Sequence, residues 1–358
     1  MSLRARARAR IHALVLIAVV LDVPVLARLV KLLTPEPRVE ELEVDGVAVQ
    51  VLRRPDDEPR PAWVFVNGAH PLRRQEPVVI RLAHGLARAG FVVVVPDIPG
   101  LGDGTITSRT LAATAAVARA ACERPDVRGG RVALIGASTG AGLALLAAGD
   151  ADLARRVSVV AAVAPFADLR KLICLATTCC YQEDGVFARY TITDLHRHVV
   201  ARSLVAALPP GPDRDRLLSE LDRIDREELN PLEELPSRAA DVDEEARAVV
   251  ALLANRDPER YDGLFDALPP AVLAFVEELS PLRVRDGLSA RVEVIVPPSD
   301  LYFPLAEATA LARSLPNVRL TVTRTLDHTR PSLSLSHLRD FAAFDGFVVR
   351  GLAAAARA

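Results

Sequence analysis

Apolar residues fall into two rhythms along this chain. Short unbroken runs mark strands buried on both faces, and stripes repeating every three to four positions mark amphipathic helices. After a linker at Thr34-Pro-Glu-Pro37, Val39–Val44 and Val47–Leu52 flank Asp45-Gly46, a hairpin turn signal. Ala62–Val66 is a short buried strand. Val78–Ala89 has helical periodicity and stops at Gly90. Phe91–Val95 is a strand, Thr107–Cys122 an Ala-rich helix, Val132–Ile135 a strand with a helix behind it, and Val157–Val163 a strand. From about Asp168 to Gly287 no segment has convincing strand character. Helices are expected there over Asp194–Ala207, Asp213–Leu229, Asp241–Asn255, Pro258–Leu268 and Pro270–Leu279, punctuated by Pro209-Pro210 and Pro269-Pro270. Strand character returns at Val292–Val296. Pro304–Leu315 then reads as a helix, Val318–Val322 as a strand and Leu333 to about Ala356 as a last helix.

Strands alternating with helices predict an α/β fold with a mostly parallel sheet covered on both faces. The expected organisation is an N-terminal segment and linker over 1–37, a core over 38–167 and 288–358, and a helical cap insertion over 168–287. No internal repeat is evident.

The N-terminus sets Arg4, Arg6, Arg8 and Arg10 before an apolar stretch from Ile11 to Val30, a pattern that resembles a membrane-targeting signal. Thirteen Leu, Ile and Val residues in that stretch contribute roughly −4 to −8 kcal/mol on the insertion scale, and Asp22 costs about 3. The expectation is a membrane anchor with the catalytic domain outside the cytoplasm. A helix lying on the membrane or on the protein itself, or a cleaved signal peptide, are the alternatives. Cytoplasmic and secreted locations go with them.

Composition narrows the classes. The 358 residues are half hydrophobic, enough for a large core, and the net charge of −2 leaves no nucleic-acid footprint. Aromatics at 4% argue against carbohydrate or single-strand stacking platforms. The four cysteines, Cys122, Cys174, Cys179 and Cys180, have no metal-site spacing and read as reduced thiols. His196 and His198 lie two apart on a helix and point to different faces, so no metal and no cofactor are expected.

Candidate chemistry centres on Gly136-Ala-Ser138-Thr-Gly140, between the Val132–Ile135 strand and a helix. A serine in so tight a turn needs glycine on either side, and the geometry lifts its hydroxyl toward a helix N-terminus. A hydroxyl needs a base, and the base needs a partner that fixes its tautomer. Asp300 follows the Val292–Val296 strand, where it could equally be a helix or turn cap. His328 follows the last strand, where it could be a surface histidine. Asp168 is a rival acid, and His337, inside the last helix, a rival base. Asp97 and His70 read as structural loop residues.

With the elbow and the order Ser138, Asp300, His328 in view, the chain resembles the α/β-hydrolases from about Val39 to Val349. The segment from Ser280-Pro-Leu282 through Val292–Val296 to Asp300 and Pro304 resembles their acid-bearing segment. The resemblance implies Ser138 as nucleophile, Asp300 as orienting acid and His328 as general base. It also implies an oxyanion hole from the backbone N–H groups of Thr139 and Ala69, the latter in Asn67-Gly68-Ala69-His70. The implied activity is cleavage of carboxylic esters through an acyl-enzyme, on a small-molecule, apolar acyl ester substrate. Acyl transfer, thioester or peptide cleavage would use the same residues, and a catalytically silent binding protein is the alternative from another class.

Overall fold

The computed structural model describes residues 3–21, 24–183, 185–223, 231–331 and 338–357. Eight strands form one sheet: β1 (Arg38–Val44), β2 (Val47–Arg53), β3 (Arg60–Val66), β4 (Val92–Pro96), β5 (Val127–Ala137), β6 (Val157–Val163), β7 (Arg291–Val296) and β8 (Val318–Val322). Their spatial order is β1-β2-β4-β3-β5-β6-β7-β8. The β1–β2 and β2–β4 pairs are antiparallel, and every later pair is parallel. The unbroken apolar runs are explained by this arrangement: β4 is buried throughout and β3 and β7 nearly so, because helices cover both faces.

Those helices are α1 (Leu3–Val20), α2 (Pro24–Leu33), α3 (Pro77–Arg88), α4 (Ser108–Glu123), α5 (Thr139–Ala148), α6 (Leu169–Thr178), α7 (Asp194–Ala206), α8 (Pro212–Arg223), α9 (Leu235–Arg238), α10 (Glu244–Leu253), α11 (Pro258–Asp266), α12 (Pro270–Glu278), α13 (Leu305–Ser314) and α14 (Leu338–Ala355). The α4 helix opens on a reciprocal cap between Thr107 and Thr110, and the Thr193, Asp243 and Asp257 side chains each accept the N–H that opens α7, α10 and α11. Helices α6–α12 all lie between β6 and β7. That stretch also holds a ribbon, Cys180–Glu183 paired with Val186–Arg189, against the expectation of no strand there. Strands of four residues are too short to show an alternation. The expected Asp213–Leu229 helix is seen as far as Arg223, and 224–230 lie outside the described residues, as does His337.

The N-terminal segment does not meet the expectation of a membrane span. No helix of the described residues is long and apolar enough to cross a membrane. Instead, α1 buries Ala9, Ala13, Leu16, Ile17, Ala18 and Val19 against α3 and α14. Asp22 lies outside the described residues. The His12 ring stands edge-on to Phe91 at 5.4 Å, and burial, with Arg8 and Arg54 nearby, lowers its pKa to about 4. The inner face of the apolar run is therefore spent on the protein itself, as in one of the alternatives above. Its outer face still exposes Ile11, Leu14, Val25, Leu26, Leu29, Leu32 and Leu33. All four cysteines are free, three of them buried.

Candidate active site

A sharp turn joins β5 to α5. Ser138 sits there at φ 54° and ψ −124°, a conformation that costs a non-glycine residue about 1–3 kcal/mol. Its neighbours explain how the turn is tolerated. A Cβ on Gly136 would come within 2.3 Å of the Gly140 carbonyl, and a Cβ on Gly140 within 2.2 Å of the Val66 and Asn67 carbonyls. Only hydrogen fits at either place. The Ser138 N–H donates to the Val163 carbonyl at 2.8 Å, which ties the turn to the end of β6.

Two later loops supply the partners. Asp300, just past β7, is almost fully buried. Its Oδ1 accepts the Tyr302 N–H at 2.7 Å, and its Oδ2 stands 2.8 Å from His328 Nδ1. The Tyr190 hydroxyl donates to the Asp300 carbonyl. An ionised carboxylate can only accept, so Nδ1 carries the proton and Nε2 is left as the basic atom of the ring. His328 is the first central residue of a two-residue turn joining Leu326–Asp327 to Arg330–Pro331. Such a turn requires a positive φ and usually takes glycine, and His328 adopts +49° there. The Tyr302 ring lies over the imidazole, centroids 4.2 Å apart, and Phe303 meets it edge-on at 5.8 Å.

The loop after β3 approaches the elbow from the other side. Asn67 Oδ1 accepts the Gly68 N–H at 2.9 Å, Asn67 Nδ2 donates to the Arg73 carbonyl, and the His70 N–H donates to the Leu101 carbonyl. That accounts for the N–H groups on either side of Ala69. The Thr139 N–H opens α5, where no earlier turn of helix exists to receive it.

These residues share one cavity of about 470 Å³. Ser138, Thr139, Ala69, Asp327 and His328 line its floor, and Leu169, Ile173, His196, Val199 and Phe275 of α6, α7 and α12 line it from above. Protein-family models and curated protein sequences gave no match to the chain. Among solved structures it is similar to 2,6-dihydroxy-pseudo-oxynicotine hydrolase, with a TM-score of 0.50 and 16% identity over 91% of this chain and 72% of that one. It is also similar to Est1E from Butyrivibrio proteoclasticus, with a TM-score of 0.49 and 16% identity over 88% of this chain and 99% of that one. The sheet order with the strand–serine–helix elbow settles the architecture. The chain has the α/β-hydrolase fold.

On this α/β-hydrolase scaffold the two candidate acids have different partners. Asp168 caps α6 by accepting the Arg170 N–H at 2.9 Å, and its own N–H goes to Glu307. His328 pairs with Asp300, not with Asp168. The Asp97 carboxylate pairs with Arg74 at 3.0 Å, and His70 Nδ1 accepts the Leu72 N–H, although His70 also reaches the cavity wall. Glu307 is a buried carboxylate that accepts from the Ala167 and Asp168 N–H groups and the Tyr181 hydroxyl, at 2.6, 2.9 and 2.6 Å. Burial pushes its pKa up. It fastens the loop after β6 to the helix after Asp300. Among the described residues no cluster of His, Cys, Asp or Glu could hold a metal ion.

Sequence reasoning weighed His196 only as a metal ligand, not as a cavity residue, and passed over Tyr302 and Phe303. His196 is fully buried on α7, edge-on to Phe303 at 5.7 Å, with neither ring nitrogen in a well-formed hydrogen bond. Burial first, then the charges of His328 and Arg197, lower its pKa to about 4. No periodicity could have flagged it, since a histidine on a helix looks the same whichever wall it faces. Tyr302 and Phe303 stand two and three residues after Asp300, so the loop that carries the acid also carries the rings around the base.

Proposed function

We propose that this protein is a serine hydrolase of carboxylic esters. The observation that carries the reading is the Asp300–His328 Nδ1 contact at 2.8 Å on the wall of the cavity that holds Ser138. His328 Nε2 takes the Ser138 proton as Oγ attacks the ester carbonyl. The oxyanion forms between the Ala69 and Thr139 N–H groups, with the dipole of α5 behind it. His328 then returns the proton to the leaving alkoxide, and the acyl group stays on Ser138. Water, deprotonated by the same nitrogen, attacks the acyl-enzyme; the Oγ–acyl bond breaks, Ser138 Oγ takes the proton back from His328, and the acid is released. Asp300 holds the imidazole in the reactive tautomer and stabilises its charged form. The strained backbone at Ser138 and His328 keeps both groups preorganised.

Residues 168–287 act as a cap, since α6, α7 and α12 place Leu, Val and Phe side chains over the serine. Those walls favour a small-molecule ester with an apolar acyl group over a peptide. A fluorophosphonate probe tests the nucleophile: it should label the protein and fail to label Ser138→Ala. A probe that never labels the folded protein overturns the reading. A series of p-nitrophenyl esters beside an acyl thioester and a peptide then tests the bond class, and turnover confined to the thioester or the peptide removes the ester assignment.

We further infer that α1 and α2 rest on an anionic lipid surface. Of the fourteen large apolar side chains exposed among the described residues, seven lie on these two helices. Arg8, Arg10, Arg28 and Lys31 are exposed beside them, the combination that seats a helix at a headgroup boundary. Co-sedimentation should be found with phosphatidylglycerol-containing vesicles, weaken with salt and fall sharply in Leu29→Glu/Leu33→Glu. Failure to bind these vesicles, or self-association through this face in solution, would exclude it.

A further inference from the structure

A second cavity, of about 100 Å³, lies behind the first, and the two have walls in common. Val78 and Leu82 of α3, Ile135 of β5, Val163 of β6 and Thr329 border both. The far wall is built by Leu16 and Ile17 of α1, Trp63 of β3, and Phe344 and Phe347 of α14. Apart from the Thr329 hydroxyl and the Trp63 indole, this lining is hydrocarbon.

The sheet register gives the direction in which the space runs. Trp63 and Phe65 lie two apart and so share a face of β3; they pair with Ala133 and Ile135 of β5. On the other side of β5, Ile135 and Ala137 pair with Ala161 and Val163. All of these belong to one apolar cluster beneath α1, α3 and α14. Phe65, Ile135, Ala137 and Val163 line the active-site cavity, and Trp63 and Ala161 the second one. The path from Ser138 to the level of Trp63 therefore descends five residues along β5, roughly 16 Å. That is close to the extended length of a dodecanoyl chain.

We propose that the second cavity is the distal chamber of a channel for an unbranched acyl chain, closed on its outer side by the N-terminal helix α1. The inference rests on Ser138 as the nucleophile: the ester carbonyl sits at the elbow, the chain passes Ile135 and Val163, and its methyl end meets Trp63. The substrates are esters of medium- to long-chain fatty acids. The side chains shared by the two cavities are the threshold between them; all five are half-buried, and Leu82 of α3, the one not branched at Cβ, has the rotamer freedom to widen it.

Trp63 is the one tryptophan in the chain, so the chamber carries its own reporter. Bromine quenches indole fluorescence on contact. With the full-length protein, 12-bromododecanoate should give saturable quenching, and 2-bromododecanoate, whose bromine would stay near Ser138, should not. Gly351 of α14 also lines the chamber, and a Cβ there meets nothing closer than the Trp63 ring at 3.7 Å. The Cβ of Gly351→Leu is thus at ordinary van der Waals distance, and the rest of the side chain should occupy the chamber. It should abolish the 12-bromo quenching and lower the ratio of kcat/KM for p-nitrophenyl dodecanoate over butanoate at least tenfold. Equal quenching by the two isomers, absence of quenching by both, or an unchanged ratio in a folded Gly351→Leu protein overturns the chamber. Fluorophosphonate labelling reads the nucleophile separately. Labelling without isomer-specific quenching removes the chamber and spares Ser138, and quenching without labelling does the reverse.

Discussion

The floor and the roof of the active-site cavity are built on opposite principles. On the floor the polar groups are held by backbone: Ser138 N–H by Val163, Asp300 Oδ1 by Tyr302 N–H, and Asn67 by Gly68 and Arg73. Ser138 and His328 sit at strained φ values in turns too short to relax. The roof, from α6, α7 and α12, offers mostly apolar side chains and one buried imidazole, His196, whose ring nitrogens lack a well-formed partner. Reactivity depends on polar groups fixed within tenths of an ångström, which loops pinned to a sheet edge provide. Choice among substrates depends on shape and apolar contact, which helix side chains supply and can vary without disturbing the floor.

The comparison breaks first if the floor is not where reactivity resides. Ser138→Ala should remove labelling and lower kcat for ester hydrolysis on the order of 10⁴-fold or more. Asp300→Asn should cost roughly 10³- to 10⁴-fold, because an amide at that position no longer enforces the Nδ1–H tautomer. Both effects are read from single-turnover rates, with circular dichroism showing that the fold persists. If Asp168→Asn lowers the rate more than Asp300→Asn, the acid has been misassigned.

Tyr302→Leu sharpens the contrast at a smaller scale. The ring over His328 positions the imidazole without touching the transferred proton. An aromatic contact is worth about 0.5–1.5 kcal/mol, so the rate should fall by no more than about tenfold. Tyr302→Phe should restore it, and a loss as large as that of Asp300→Asn would place Tyr302 among the reacting groups.

The smallest effect on turnover is expected on the roof. His196→Leu should change kcat/KM on a butanoate ester less than tenfold at pH 7.5. Its main effect is on stability in acid. The buried ring titrates at about 4, and in the unfolded chain at about 6.5. The unfolded state thus binds the proton more readily between these values. Stability is fully present above pH 6.5 and is lost as pH falls toward 4, by up to about 3 kcal/mol. His12, also lowered to about 4, acts in the same sense. Glu307, whose pKa is raised, works the other way, its contribution being largest in acid. Urea denaturation at pH 7.5, 5.5 and 4.5 should show a flatter pH dependence for His196→Leu than for the wild type. An identical slope would mean that the imidazole is solvated in the folded protein.

Much of the fold was legible because buried parallel strands and amphipathic helices leave periodic traces. Val318–Val322 was read with its observed bounds, and Val78–Ala89 is displaced by one residue at each end. The elbow was legible for a different reason: Gly136 and Gly140 record, as missing side chains, how closely Val66, Asn67 and Ala141 approach. The two-residue turn at His328 left no such mark, since it takes histidine where glycine is usual.

The sequence alone determined the eight strands of the main sheet, most of the helices and which serine stands at a forced turn, because these follow from spacing and from backbone sterics local to a few residues. The short Cys180–Glu183 and Val186–Arg189 ribbon and the Leu169–Thr178 helix were not read from it. Tertiary structure decided which carboxylate meets the histidine, which helix residues face the cavity, and whether the apolar N-terminus packs on the protein. Those outcomes depend on the direction in which a side chain points after the chain has folded across more than a hundred residues, and a one-dimensional pattern carries no record of direction.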